Sequence, residues 1–332
     1  MPVFLKIALV AAVFWSAQAC ADPNYAGNPS AQTVIDELVA EEGFNAEELH
    51  AIFAAAERKD SILEAIARPA EKTKAWYEYR TIFVTDKRKT LGLEFYQKHR
   101  ETLLRAEREL GVPAAVIVAI IGVETYYGTH AGNYRVIDAL STLAFDYPRR
   151  STFFTKELKN FLILTRDQGM DPLTLKGSYA GAMGYGQFMP SSYRGYAIDF
   201  DGDDVIDIWN NPVDAIGSVA NYFKAHGWKT GGPVVYSAQA SEEVSDSWFV
   251  KGRSDLKPKY TLGEFAAGGL TIEPELDSQT TATAMKFELE NGYEYWVGLH
   301  NFYVITRYNH SAMYAMSVYQ LSQLIAENVE RK

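Results

Sequence analysis

Cysteine is nearly absent. The 332 residues hold one, Cys20, so no intramolecular disulfide can form. Histidine is scarce as well: His50, His99, His130, His226, His300 and His310 include no pair at His-x-x-x-His spacing. With no second thiol, a transition-metal centre has no ligand set. Positive charge is the minority sign, since 32 Lys and Arg stand against 42 Asp and Glu, a formal net charge of −10. The clustered cationic surface that phosphate neutralisation requires is not evident, and no nucleic-acid partner is expected. Beyond the leader, no run reaches the roughly 20 apolar residues of a spanning helix; the best, Val112 to Val123, is too short. The glycine-dense stretch Gly177 to Gly186 is followed by no Gly-Lys-Ser/Thr. Its Ser178 stands second in Gly177-Ser178-Tyr179-Ala180-Gly181, so it forms neither a phosphate loop nor a nucleophile elbow.

What is present is ordinary globular material, 47% apolar and 22% charged, enough for a large core. After Lys6 an apolar stretch from Ile7 to Trp15 runs into Ser16-Ala17-Gln18-Ala19-Cys20, an export leader with a small-x-small cleavage site. Cleavage after Ala19 puts Cys20 at the mature N-terminus. An unpaired thiol in an oxidising compartment suits lipidation, although Ala17 stands where lipoprotein signals usually carry leucine; plain cleavage is the alternative. Residues 20–29 read as a tether.

From Ser30 the pattern is helical, with Val34, Ile35, Leu38 and Val39 on one face, and Asn45 with Glu48 forms a second helix start. One helix is expected over 86–110, ended by Gly111, and a helix buried on all sides over 114–123 after Pro113. Residues 133–171, 191–198 and 213–226 also read as helical. After Trp228 the period changes: Met285, Phe287 and Leu289 alternate with Lys286, Glu288 and Glu290, and Asn291-Gly292 supplies a turn, which is a hairpin. Asn301 to Thr306 reads as a further strand, before a closing helix over 311–329.

Glu124 breaks its local rule. It follows ten apolar or small residues and precedes Thr125-Tyr126-Tyr127-Gly128. A carboxyl in apolar surroundings favours its neutral form and is prepared to donate a proton. Asp199, Asp201 and Asp203 occupy alternate positions of a tight acidic turn, with the Val205 carbonyl at the seventh position. Oxygen donors so spaced suit calcium. Asp204 replaces the usual glycine at the sixth position and Asn210 the usual glutamate at the twelfth; Asp214 is available as the missing ligand or as a helix-start residue. Tyr308, Asn309 and Tyr314 suit a sugar groove, with helix capping as the alternative for Asn309.

Together these stretches, Ile121 to Gly128, Ser178 to Pro190, Asp199 to Asp214, Gly217 to Trp228 and Arg307 to Tyr314, resemble the membrane-bound lytic murein transglycosylase B family over nearly the whole mature chain. The resemblance implies a mainly α (α+β) fold: a lysozyme-like catalytic core, an accessory helical domain and a small inserted antiparallel β domain. The corresponding division is 1–19 signal peptide, 20–29 tether, 30–110 helical domain, 111–228 core, 229–300 β domain and 301–332 return to the core. It implies non-hydrolytic cleavage of peptidoglycan with Glu124 as catalytic acid and base. Ser178, Gln187, Tyr308, Asn309 and Tyr314 match substrate-groove positions, and Asp199, Asp201, Asp203, Val205 and Asp214 a structural calcium site. No organic cofactor is implied. A monomer in the periplasm, bound to glycan strands and anchored to the outer membrane through Cys20, completes the expectation. A hydrolytic muramidase and a non-catalytic peptidoglycan-binding scaffold are the alternatives.

Overall fold

The computed structural model describes residues 24–68, 74–273 and 276–329; the leader and Cys20 fall outside them. The chain opens with α1 (Pro29–Glu42), α2 (Ala46–Ala55), α3 (Asp60–Ala67) and α4 (Trp76–Phe83). Asn28 caps α1 by accepting the Ser30 and Ala31 N–H groups at 2.9 and 3.2 Å, and Asn45 caps α2 likewise. The helix expected over 86–110 is two, α5 (Asp86–Lys98) and α6 (Arg100–Leu110), broken at His99 with φ −115° and ψ 24°. The break redirects the apolar face: α5 packs on the following buried helix, α6 on a later one.

That buried helix is α7 (Ala114–Thr125). β1 (Tyr134–Arg135) leads into α8 (Val136–Asp146) and α9 (Ser151–Asp167), which are separated at Pro148, so the helical stretch expected over 133–171 is interrupted. β2 (Lys176–Gly177) pairs antiparallel with β1. The glycine-rich loop, α10 (Pro190–Tyr196), the acidic turn and α11 (Pro212–Ala225) follow.

A five-stranded antiparallel sheet is inserted next, formed by β3 (Val235–Ala240), β4 (Tyr260–Thr261), β5 (Leu270–Ile272), β6 (Thr281–Glu288) and β7 (Tyr293–Gly298) in the order β4-β6-β7-β3-β5. α12 (Leu262–Ala267) lies between β4 and β5. The hairpin read from the sequence is β6–β7, with Met285 opposite Trp296 and Gly292 at φ 85° in the turn. The sheet has its own small core, including Phe249, Phe265 and Val297. It is fastened to the helices where Trp76 lies 4.9 Å from Phe287, ring centre to ring centre, and donates to Glu294 at 2.5 Å.

The strand expected at Asn301 to Thr306 is instead α13 (His300–Tyr308). Its β-branched run Val304-Ile305-Thr306 misleads local propensity; helical winding buries Phe302, Val304, Ile305 and Thr306 together. α14 (Ala312–Val329) closes the chain against α4, α5, α7 and α13. The first six helices build no separate core: Phe53, Trp76, Ile117, Phe161, Phe223 and Leu321 belong to one continuous buried cluster. The architecture is mainly α with a small inserted sheet, as the sequence implies.

Candidate active site

Glu124 sits one residue from the end of α7, half-buried. The helix stops on two tyrosines: Tyr126 and Tyr127 take left-handed φ values of 54° and 62° before Gly128 at 88°. Such backbone is costly for residues with a Cβ and persists only where surroundings impose it. Here Arg88 of α5 donates to the Gly122 carbonyl, its guanidinium lies 4.5 Å from the Tyr126 ring, and the Tyr127 hydroxyl donates to the Arg88 carbonyl at 2.7 Å. Thr125, fully buried, accepts the Gly128 N–H at 3.0 Å and reaches the carbonyls of Ile121 and Tyr185 at 3.1 and 2.9 Å. The end of α7 is thereby pinned to the glycine-rich loop.

That loop is organised by its own backbone. Met183 pairs with Phe188 and Gly177. The Ser178 Oγ accepts the N–H groups of Ala180 and Ala182 at 3.3 and 3.1 Å. Gln187, at φ 51°, donates through Nε2 to the Gly184 and Ala131 carbonyls, both at 3.1 Å. Tyr308, the last residue of α13, donates to the Gly186 carbonyl at 2.6 Å.

Asn309 then leaves the helix in an extended conformation, and Ser311 caps α14 by accepting the Tyr314 N–H at 3.3 Å. Tyr314, only 3% exposed, donates its hydroxyl to Glu124 Oε1 at 2.5 Å. Burial, reinforced by the charge of Glu124, holds the Tyr308 and Tyr314 phenols far above their ordinary range, so both stay neutral donors. The structure thus joins α7, the loop, α13 and α14 around Glu124.

Two other acids in this stretch are committed elsewhere. Asp138, 2% exposed, takes both arms of Arg135 at 2.8 Å and the Glu57 N–H. Asp146 accepts the Tyr25 hydroxyl at 2.7 Å and faces Arg58 at 3.4 Å. Both fasten the N-terminal segment to α8. A cavity of about 700 Å³ opens where the sheet meets α13, lined by Lys229, Leu299 and Tyr303 among others, and Glu124 does not line it.

In the acidic turn, Asp199, Asp201 and Asp214 bring one carboxylate oxygen each within 4.8 Å of one another. Asp204, at φ 70°, adopts the left-handed backbone that glycine usually supplies at the sixth position, a conformation Asp tolerates. Burial works against ionisation of Asp199, yet N–H donors from Gly202, Asp204 and Asp203 hold it below the usual carboxylate range. Asp214 is fully buried, and burial, with the charges of Asp201 and Asp199, pushes it up against the N–H groups of Phe200 and Asp207. Among the described residues no cationic side chain pairs with these three acids, a donor set that fits a hard dication. Asp203 stands outside the trio and accepts the Val205 N–H at 2.9 Å.

The sequence singles out Glu124 and this turn but gives no role to Thr125 or Arg88. These work through backbone carbonyls or at long range, and no local pattern marks them.

The transglycosylase SLT domain family matches residues 27–323. The membrane-bound lytic murein transglycosylase B of Escherichia coli (strain K12) is 46% identical over 312 residues, 91% of this chain and 84% of that protein. The crystal structure of the soluble lytic transglycosylase SltB1 from Pseudomonas aeruginosa superposes with a TM-score of 0.87 at 55% identity, covering 91% of this chain and 100% of that one. The Escherichia coli lytic transglycosylase Slt35 in complex with calcium gives 0.84 at 47% identity, covering 92% and 95%.

Proposed function

The chain belongs to the transglycosylase SLT domain family and is a lytic transglycosylase acting on peptidoglycan; we propose that it cleaves the β-1,4 bond between N-acetylmuramic acid and N-acetylglucosamine without water, with Glu124 as its single general acid and base. The bond from the Tyr314 hydroxyl to Glu124 carries this reading, because it fixes one carboxyl at the junction of α7, the loop and α14. Protonated Glu124 gives its proton to the glycosidic oxygen as the bond from C1 to that oxygen breaks. The muramoyl acetamido oxygen supports the oxocarbenium-like C1. Ionised Glu124 then takes the C6 hydroxyl proton as that oxygen bonds to C1, leaving a 1,6-anhydro end and the acid protonated again. Glycosidases usually employ two carboxylates. With Asp138 and Asp146 engaged in Arg135, Tyr25 and Arg58, the substrate's own acetamido and hydroxyl groups take the second role.

Ser178 or Asn309 orients the acetamido group, and Gln187 lines the groove. Tyr308 and Tyr314, whose hydroxyls are engaged, hold the loop and the acid in register at the groove floor. Asp199, Asp201 and Asp214, with Asp203 and the Val205 carbonyl completing the set, would hold calcium, whose charge would offset the buried Asp214 and its two more exposed neighbours and stiffen the turn; no step of the reaction passes through it. We read the four segments 30–110, 111–228, 229–300 and 301–332 as helical domain, core, β domain and returning segment, the helical domain sharing one buried cluster with the core instead of building its own. A lipidated Cys20 tethers a monomer to the outer membrane on its periplasmic side. Digestion of purified sacculi with product masses tests the reaction. Anhydro ends, one water lighter than reducing ends, are expected; reducing ends alone would make the enzyme a hydrolytic muramidase.

A further inference from the structure

The last turn of α7 is held from outside by one residue of α5. α7 carries Glu124 where the helix dipole is negative, and no basic residue of its own stands in that turn. Arg88, half-buried, supplies the missing cation. Its guanidinium donates to the carbonyl of Gly122, ahead of Glu124, and through Nε to the Ile82 carbonyl of α4 at 3.2 Å. The same group lies 4.5 Å from the centre of the Tyr126 ring and 5.2 Å from that of Phe83. Burial pulls Arg88 below the ordinary arginine range, and among the described residues no carboxylate offsets that cost. A cation withdrawn from water without an acid beside it is costly, and it persists here because the backbone around Glu124 occupies its donors.

The packing between the two helices acts in the same direction. The Tyr127 ring lies in a slot between α5 and α7: a Cβ on Gly122 would meet it at 2.5 Å, and a Cβ on Gly92 would meet its hydroxyl at 2.6 Å. That hydroxyl donates back to the Arg88 carbonyl at 2.7 Å. Side chain and main chain of Arg88 thus grip the residues on both sides of the acid, Gly122 before it and Tyr126 and Tyr127 after it. Left-handed backbone at two consecutive tyrosines relaxes once its surroundings let go, and the carboxyl would then leave the Tyr314 hydroxyl, which is fixed on α14. We propose that Arg88 is a positioning residue for Glu124: its clasp on α7 holds the carboxyl at Tyr314, and Arg88 itself exchanges no proton with the substrate. The proposal rests on the reading of Glu124 as acid and base.

The test measures release of anhydro ends from sacculi, with melting temperatures alongside, for Arg88→Ala, Arg88→Lys and Arg88→Ala combined with Glu124→Gln. Misplacing a reacting group by about 1 Å can cost on the order of 100-fold, so kcat of Arg88→Ala should fall roughly 10- to 100-fold with KM little changed. Arg88→Lys keeps a charged donor for the Gly122 carbonyl but loses the planar fork, and should recover part of that loss. Guanidinium chloride below denaturing concentration should do the same for Arg88→Ala. Unchanged kcat, a loss carried by KM, or no recovery by either route would overturn the proposal. In the Glu124→Gln background Arg88→Ala should cost no further activity, because a residue acting only through the acid has nothing left to position; a further loss of the same size counts against it. Full activity of Glu124→Gln alone would remove the acid instead, so the two failures are told apart. Should Arg88→Ala not fold, Tyr127→Phe takes its place, since it keeps the ring in its slot and deletes only the bond to the Arg88 carbonyl. A fall in its kcat at an unchanged melting temperature supports the clasp, and full kcat overturns it.

Discussion

Glu124 and Tyr314 test the site at the level of single atoms. Glu124→Gln keeps shape and hydrogen bonding but removes the proton, so turnover should fall by about 10²–10⁴-fold. Sacculus binding and melting should be retained; near-normal release of anhydro products would remove Glu124 from the mechanism. Tyr314→Phe deletes only the hydroxyl that meets Glu124. A hydrogen bond to a charged group is worth about 1.5–3 kcal/mol, so kcat should drop roughly 10- to 100-fold with KM little changed, and full kcat would exclude a positioning role. Glu124 was legible because a lone acid ending an apolar run is conspicuous. Thr125, beside it, was not, since its worth lies in the Tyr185 carbonyl, which only folding brings near.

At the scale of elements, the turn after α7 is held by close backbone packing. Gly132 has φ 98°, and a Cβ there would overlap the carbonyl of Gly177 in β2, which cannot swing aside as a side chain would. Gly132→Ala should therefore cost about 2–4 kcal/mol, seen as a fall of several degrees in melting temperature. An unchanged melt would show the turn to be pliant. Elements differ in how openly the sequence states them. The β6–β7 hairpin shows strict alternation around Asn291-Gly292, a pattern a helix does not produce. α13 hides behind Val304-Ile305-Thr306, whose preference for strands is overruled by burial against the core. α4 is only eight residues long and offers no capping side chain to announce it.

Over the whole molecule, the acidic turn is the feature that depends on a distant partner, Asp214 of α11. Asp214 lies fully buried beside Asp199 and Asp201, and a dication bound only by the folded chain adds stability by mass action, about 2.7 kcal/mol at a hundredfold excess over Kd. Chelation should lower the melting temperature by several degrees while altering the chemical step less. In Asp214→Asn the chelator should have little effect, and equal melting curves for the wild type with and without it would defeat the metal assignment. The turn was legible because its acids lie within sixteen residues.

The bond that completes the centre joins residues 190 positions apart. The acid stands on α7 and its tyrosine partner on α14, the helix that packs across α4, α5, α7 and α13. A chain cut ahead of α14 therefore keeps the acid and loses the hydroxyl that holds it in place.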